Sequence, residues 1–307
     1  MKAGADRLRP DWSSLPAALR TQVESVLGGG YASDSPAHGG FSAGYAGIVR
    51  SVERAVFVKA IAADGHADSR AFLRREIRML RAVPSGLAPR LLHDIDDEAG
   101  TALILEVVPG THPGDPWTAG QLHAIAAEIA RLAAVTAADA IPPAKRSMLP
   151  HFARWEQIAA DAALTASLPH SLLRRMPQLL TLEASLPAAL AGTALAHGDL
   201  RADNILIHGD RARFIDWPHA RRGVPWLDGP LLVPSIEMSG GPTCAETWQV
   251  LRDHGAPDAT RLLPVISAFA SFLWWNQGHP DIPELPGLRA FQRAQADPIL
   301  RWLDELL

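Results

Sequence analysis

A polar loop followed by two short apolar runs constrains this chain more than any other segment. The loop at 197–204 reads HGDLRADN and leads into the apolar run 205–207, and a second run ends at Asp216 within FIDW. Carboxylate and amide oxygens are the ligands that hard Mg²⁺ prefers, with water and substrate phosphates completing its shell. Each residue alone is typical of a polar turn, but the ordered set of Asp199, Asn204 and Asp216 predicts a metal site for phosphates.

Length and composition fit two domains, or one bilobal unit, at about 100–200 residues per domain. The 307 residues are 48% hydrophobic and 20% charged, which excludes a disordered chain and a coiled coil. A net charge of −4 does not indicate the basic surface that nucleic-acid-binding proteins carry. The single cysteine, Cys244, excludes an internal disulfide framework and fits a reducing compartment.

The sequence predicts neither an export signal nor a membrane span. The N-terminal residues alternate charged and small side chains and lack the apolar run of a signal peptide. The longest apolar stretch, 262–275, contains Pro264 and is shorter than the roughly 20 residues that a span needs. We therefore expect a cytoplasmic protein that binds neither membrane nor nucleic acid, and the oligomeric state stays open.

Hydrophobic patterning divides the chain into a β-rich first part and a helical second part. Alternation and turn residues predict strands at 48–52, 55–59, 90–96 and 101–108, with further short strands at 205–208 and 213–215. A period of 3.6 predicts helices at 15–27, 68–83, 121–135, 151–164, 171–191, 244–254, 258–275 and 287–307. Because Pro109-Gly110 breaks the pattern, we expect an α+β fold with a β-rich lobe at 1–108, which starts with a helical lead-in at 1–30, and a larger helical lobe at 109–307.

The motif His-Gly-Asp-x-x-x-x-Asn, followed by Ile-Asp-Trp, resembles the catalytic loop and metal motif of the aminoglycoside phosphotransferase family. That family has the bilobal protein-kinase-like fold, with a small β-rich N-terminal lobe and a larger, mostly helical C-terminal lobe. The resemblance covers roughly residues 35–240, and the remaining residues match only in being helical.

The N-terminal part carries the other elements that this resemblance requires, in the expected order. A glycine-rich turn precedes Lys59, which ends an apolar strand and is one of few lysines in an arginine-rich chain. Glu76 lies in the middle of the next predicted helix. The resemblance implies that Lys59 contacts the α- and β-phosphates of ATP and is held by Glu76. It also implies that residues 1–108 form the nucleotide-binding lobe. The nucleotide would contact the backbones of Gly40, Phe41, Ser42, Ala43 and Gly44 in the turn, and of Glu106 and Val108 in the segment 106–110, which occupies the hinge position of that fold.

For the helical lobe, the resemblance implies both chemistry and cofactors. Asp199 would accept or orient the proton of the attacking hydroxyl, and Asn204 and Asp216 would hold Mg²⁺ beside ATP. Arg201 would meet charge on the transferred phosphoryl group, with a salt bridge to Asp203 as the alternative. His197 would support the loop.

The acceptor is expected to be a small-molecule hydroxyl. A protein substrate is disfavoured because Trp-Pro, not Phe-Gly, follows Asp216. Asp228, Glu237, Glu246, Asp304 and Glu305 are candidate contacts for a polycation, although for Asp228 a helix cap or loop brace is the preferred interpretation. Trp274 and Trp275 are candidates for an aromatic wall, with core packing as the alternative.

The sequence therefore predicts an ATP-dependent O-phosphotransferase, with an aminoglycoside-type antibiotic as the expected acceptor. The alternatives are a metabolic kinase acting on choline, homoserine or a sugar, and an inactive nucleotide-binding scaffold. Because every catalytic position is occupied, the sequence favours an active enzyme over a scaffold.

Overall fold

The computed structural model describes residues 10–37, 44–282 and 287–307. The chain forms two compact units: one contains the residues up to Gly110 together with Phe214–His219, and the other contains Thr111–Arg213 and Ala220–Leu307. The first unit thus ends two residues after the boundary expected from the sequence. The hydrophobic pattern did not predict that Phe214–His219, which follows much of the second unit in sequence, belongs to the first unit.

Within the described residues of the first unit, five strands form one antiparallel sheet in the order β1-β2-β3-β5-β4. Its elements are α1 (Ala17–Leu27), β1 (Ser33–Pro36), β2 (Tyr45–Arg50), β3 (Ala55–Ala62), α2 (Ala67–Ala82), β4 (Leu91–Asp96) and β5 (Gly100–Leu105). The strand β3 lies at the centre of the sheet and alternates buried with less buried positions over most of its length. Within it, Lys59 pairs with Ala46 on one neighbouring strand and with Leu103 on the other. The sequence did not predict β1, because its residues SDSP do not alternate apolar with polar side chains.

The helices of the first unit follow their sequence signals. Gly28 adopts φ 74° and ends α1 in the left-handed conformation that glycine tolerates. Leu19, Val23 and Leu27 form the buried stripe of α1 and pack into the core of this unit. The stripe of α2 includes Glu76, a buried carboxylate among apolar neighbours.

The second unit is mostly helical. Its strands are β6 (Ala194–Ala196), β7 (Ile205–His208), β8 (Arg211–Phe214, whose last residue belongs to the first unit) and β9 (Arg221–Gly223); β6 pairs with β9 and β7 with β8. Its helices are α3 (Ala119–Ala133), α4 (Ala144–Phe152), α5 (Trp155–Ala160), α6 (Ala162–Ser167), α7 (His170–Arg174), α8 (Met176–Ala189), α9 (Asp228–Met238), α10 (Cys244–Asp253), α11 (Leu263–Gln277) and α12 (Leu288–Leu306).

Three helical segments differ from the sequence prediction. The single helix expected at 171–191 is split at Arg175 into α7 and α8, because Pro177 at the start of α8 cannot continue the preceding helix. The single helix expected at 151–164 is three short helices, because α4 ends soon after Pro150 and Asp161 caps the start of α6. The helix α9 was not predicted. None of the helices in the described part of the chain is long and apolar enough to cross a bilayer.

Candidate active site

A partly buried lysine lies between two carboxylates in the first unit. The Lys59 ammonium donates to both oxygens of Glu76, at 2.8 and 2.7 Å, and to Oδ1 of Asp216 at 2.7 Å. The strand β3 continues to Ala62, so Lys59 lies within the strand and not at its end as the sequence suggested. The three charges come from a central strand, a helix and the Phe214–His219 segment, so this unit assembles them without the rest of the chain.

Burial and neighbouring charges together shift the pKa values of Lys59 and Glu76. Burial opposes the charged form of Lys59, but the attraction of Asp216 and Glu76 outweighs it, so the pKa of Lys59 is raised and the ammonium is retained. Burial also raises the pKa of Glu76 to about 7, and the nearby charge of Asp216 adds to the effect. Two carboxylates share one ammonium, so the ionised triad carries one excess negative charge.

Backbone conformation fixes the direction of Asp216. Its φ of 67° lies in the left-handed region, which aspartate tolerates better than most residues other than glycine and asparagine. The next residue, Trp217, is fully buried, and its indole N–H donates to the carbonyl of Phe214 at 2.9 Å. This anchor stabilises the turn that carries the Asp216 carboxylate.

One residue of the predicted glycine-rich loop is described. A Cβ on Gly44 would lie 2.5 Å from the carbonyl oxygen of Ala60, so only glycine fits where the end of the loop passes over β3. Gly40, Phe41, Ser42 and Ala43 lie outside the described residues. Glu106 and Val108 follow β5, and the N–H of Glu106 donates to the carbonyl of Arg90 at 3.0 Å.

The catalytic-loop sequence in the second unit is held by one face of α9. The buried carboxylate of Asp228 accepts hydrogen bonds from the backbone N–H groups of His197, at 2.7 Å, and Gly198, at 2.8 Å. Seven residues later on the same helix, the Ser235 hydroxyl accepts from the N–H of Ala202 at 3.0 Å. These contacts fix both ends of the loop.

Desolvation raises the pKa of Asp228 to about 6, although the two N–H donors oppose the shift. Asp228 is only 2% exposed, and both of its carboxylate oxygens accept hydrogen bonds from backbone N–H groups. It therefore positions the loop and is not accessible to a substrate. The structure thus places Asp228 as the brace that the sequence analysis preferred. Ser235 had no sequence signal, because α9 is apolar on all sides.

The loop itself presents Asp199 beside an arginine. The guanidinium of Arg201 binds the carboxylate of Asp203 through two contacts, at 3.0 and 3.1 Å, and lies 3.7 Å from Oδ2 of Asp199. The buried amide of Asn204 donates to the backbone carbonyl of Asp199 at 2.8 Å. About one third of the Asp199 side chain is exposed, so its carboxylate remains accessible.

The last helix reaches this loop. The Arg201 guanidinium lies over the ring of Phe291 in α12, 5.1 Å from its centroid, as in a cation–π contact. Phe291 is 6% exposed, so its ring forms a fixed surface under the arginine. Nothing in the sequence connects these two residues, which are 90 positions apart.

The other predicted acceptor contacts lie mostly in structural roles. Glu237 accepts from the N–H of Cys244 at 2.7 Å and binds Arg301. Trp274 is buried, and its indole N–H donates to the carbonyl of Leu164, so the core alternative holds for this residue. Trp275 is half-buried and lies beneath the guanidinium of Arg154.

Each unit carries one oxygen group of the kind that Mg²⁺ prefers. In the first unit, Asp216 offers a carboxylate that is paired with Lys59, and in the second, Asn204 offers an amide whose nitrogen donates to the carbonyl of Asp199. Among the described residues, no three His, Cys, Asp or Glu side chains cluster as a complete metal cage. Sparse protein ligation by hard oxygens is typical of Mg²⁺, which keeps water and phosphate ligands.

Comparisons with solved structures show the fold. A choline/ethanolamine kinase family protein from Mesorhizobium loti superposes with a TM-score of 0.58 at 16% identity, covering 93% of this chain and 94% of that one. APH(3'')-Id from Streptomyces rimosus, solved with ADP and streptomycin, gives 0.51 at 22% identity over 82% and 96%. Spectinomycin phosphotransferase APH(9)-Ia, solved with ADP and spectinomycin, gives 0.55 at 15% identity over 94% and 98%.

These likenesses confirm the expected α+β, protein-kinase-like fold. No curated protein matches the sequence significantly. The profile of the phosphotransferase enzyme family matches residues 42–263, which include the lysine, the glutamate, the catalytic-loop sequence and Asp216. The chain therefore belongs to the phosphotransferase enzyme family.

Proposed function

We propose that the protein transfers the γ-phosphoryl group of ATP to a hydroxyl of a small molecule, with Mg²⁺ as cofactor. The observation that carries this proposal is the ion-paired Lys59–Glu76–Asp216 triad, which provides a cation for phosphates and a carboxylate for metal. Family membership supports the reaction class. Relatives solved with ADP or AMP-PNP support a nucleotide as phosphoryl donor.

Each residue of the proposed active site has a separate role in phosphoryl transfer. Lys59 contacts the α- and β-phosphates, and Glu76 keeps its ammonium in place. Asp199 orients the acceptor hydroxyl and takes its proton. Arg201 balances charge beside Asp199, while Asn204 and Asp216 hold the metal. When bound, Mg²⁺ neutralises charge on the phosphates. The predicted backbone contacts of Gly40–Gly44, Glu106 and Val108 with the nucleotide remain part of the proposal.

Nucleotide binding provides the first test. Millimolar Mg·ATP should raise the thermal midpoint, since a ligand at 100 times its Kd stabilises the folded state by about 2.7 kcal/mol. Lys59→Met should lose most of this shift, while Lys145→Met, which changes an exposed lysine on α4, should keep it. The midpoint of each variant without nucleotide controls for stability. An unchanged midpoint of the wild-type protein in Mg·ATP would overturn the proposal.

Phe291 should matter for turnover although it lies outside the segment that the family profile matches. A cation–π contact is worth about 0.5–2 kcal/mol, so Phe291→Leu should lower kcat by roughly 2- to 30-fold through a misplaced Arg201. The KM for ATP should change little, and Phe291→Tyr should retain activity because it keeps the ring. Steady-state kinetics decide this; equal kcat for the leucine and wild-type enzymes would contradict the role.

Two acceptor classes remain for the proposed reaction. An aminoglycoside-type acceptor needs carboxylates facing its ammonium groups. Among the candidates, Asp228 is buried, Glu237 binds Arg301 and Glu246 caps α10, whereas Asp304 is half-buried and Glu305 is exposed on α12. The engagement of the first three carboxylates supports a second candidate, a metabolic kinase whose acceptor carries at most one positive charge. Incubation with Mg·ATP and kanamycin, streptomycin, choline, homoserine or simple sugars, followed by mass spectrometry, distinguishes the classes by which compound gains one phosphoryl group.

A further inference from the structure

Two histidines outside the proposed active site meet on the helical unit. His123 lies on α3, and His254 directly follows α10. Nδ1 of His123 and Nε2 of His254 are 3.1 Å apart, and the ring centroids are separated by 5.4 Å with planes tilted by 46°. The proposed phosphotransfer uses neither side chain.

The backbone that carries each histidine is hydrogen-bonded. His123 lies in the N-terminal part of α3, which begins with a capping box formed by Thr118 and Gln121. The backbone N–H of His254 donates to the carbonyl of Leu251 at 3.1 Å, so its position at the end of α10 is fixed. A ligand that binds both rings would therefore meet little cost of ordering the backbone.

The nitrogen separation matches adjacent ligands on one metal ion. Zinc–imidazole bonds are about 2.0–2.1 Å, so two nitrogens at angles of about 90–109° on the ion lie roughly 2.9–3.4 Å apart. His123 is exposed and His254 is half-buried, which leaves room for water as the remaining ligands. Neutral imidazole suits Zn²⁺, Ni²⁺ and Cu²⁺, whereas Mg²⁺ prefers oxygen.

We propose that His123 and His254 form a bidentate surface site for a divalent transition metal of the zinc and nickel class. The ion would bridge α3 and α10 and stabilise their packing. This site is chemically separate from the Mg²⁺ site of the proposed reaction, because its donors are nitrogens and its residues lie outside the catalytic loop.

Isothermal titration of the untagged full chain with ZnCl₂ tests the proposal. We expect His123→Ala and His254→Ala each to weaken zinc binding at least tenfold, and the double variant to lose less than the product of the two single losses, because both histidines serve one ion. The matched control His279→Ala removes another exposed histidine and should bind like wild type. Zinc should also raise the thermal midpoint of the wild type, whereas it should raise those of both single variants less.

The alternative is that the two rings share only a hydrogen bond. In that case zinc affinity and the zinc-induced midpoint shift would be the same in the wild type, His123→Ala and His254→Ala, which would overturn the proposal. Absence of wild-type zinc binding at millimolar metal would also overturn it. Circular dichroism of each variant confirms folding, and Mg·ATP binding, measured separately, reports on the phosphotransferase proposal.

Discussion

Asp199→Asn should lower kcat by about 10²- to 10⁴-fold, the usual contribution of a general base. Asparagine keeps the shape of aspartate but cannot accept the proton of the attacking hydroxyl. The surrounding contacts should survive, because Asn204 binds the backbone carbonyl of Asp199 and Arg201 retains its two contacts with Asp203. Nucleotide affinity should stay close to wild type, since the proposed phosphate contacts belong to other residues. Single-turnover phosphorylation of an identified acceptor, together with nucleotide titration, measures both quantities.

Asp203→Asn is the matched control for this experiment. It removes a carboxylate from the same loop and the same arginine, but Asp203 has no proposed role in proton transfer. We expect a smaller loss of kcat, arising only from a less restrained Arg201. Wild-type turnover by Asp199→Asn would refute the assignment of the base. Loss of nucleotide binding by that variant would instead indicate a structural or metal role for Asp199.

Helices and strands with a clear period could be predicted from sequence. The helices α2, α3 and α12 begin and end within about two residues of their predicted bounds, because their buried residues recur at helical spacing. In contrast, α9 buries nine of its 11 residues and contains prolines within its length, so it offers neither a polar face nor a regular period. The loop brace on α9 was therefore only one of two interpretations of Asp228.

Contacts between residues far apart in the sequence could be predicted only in part. The motif order predicted that Lys59 and Glu76 would act together, and the structure shows their ion pair. It could not show that Asp216, 157 positions along the chain from Lys59, would bind the same ammonium in this structure. The contact between Arg201 and Phe291 is equally hidden, because a buried phenylalanine on an amphipathic helix looks like core.

The metal assignment yields the second large effect. Asp216→Ala should abolish Mg²⁺-dependent turnover, because it removes the charged ligand for the ion that would neutralise the phosphates, whereas Asn204→Ala removes a neutral amide and should cost less. Alanine at φ 67° also adds backbone strain, so Asp216→Asn, which tolerates this conformation, separates lost charge from lost geometry.

The charge argument predicts a specific ranking of these variants. Asp216→Asn should also lose most turnover, because its amide cannot supply the negative charge, and the exposed turn variant Asp210→Ala should behave like wild type. Initial rates across a Mg²⁺ titration at saturating ATP give the comparison, with thermal midpoints as a check on folding. Normal Mg²⁺-dependent turnover in Asp216→Ala would show that the metal is held elsewhere. If only Asp216→Ala failed while Asp216→Asn kept full activity, backbone strain and not metal charge would be the cause.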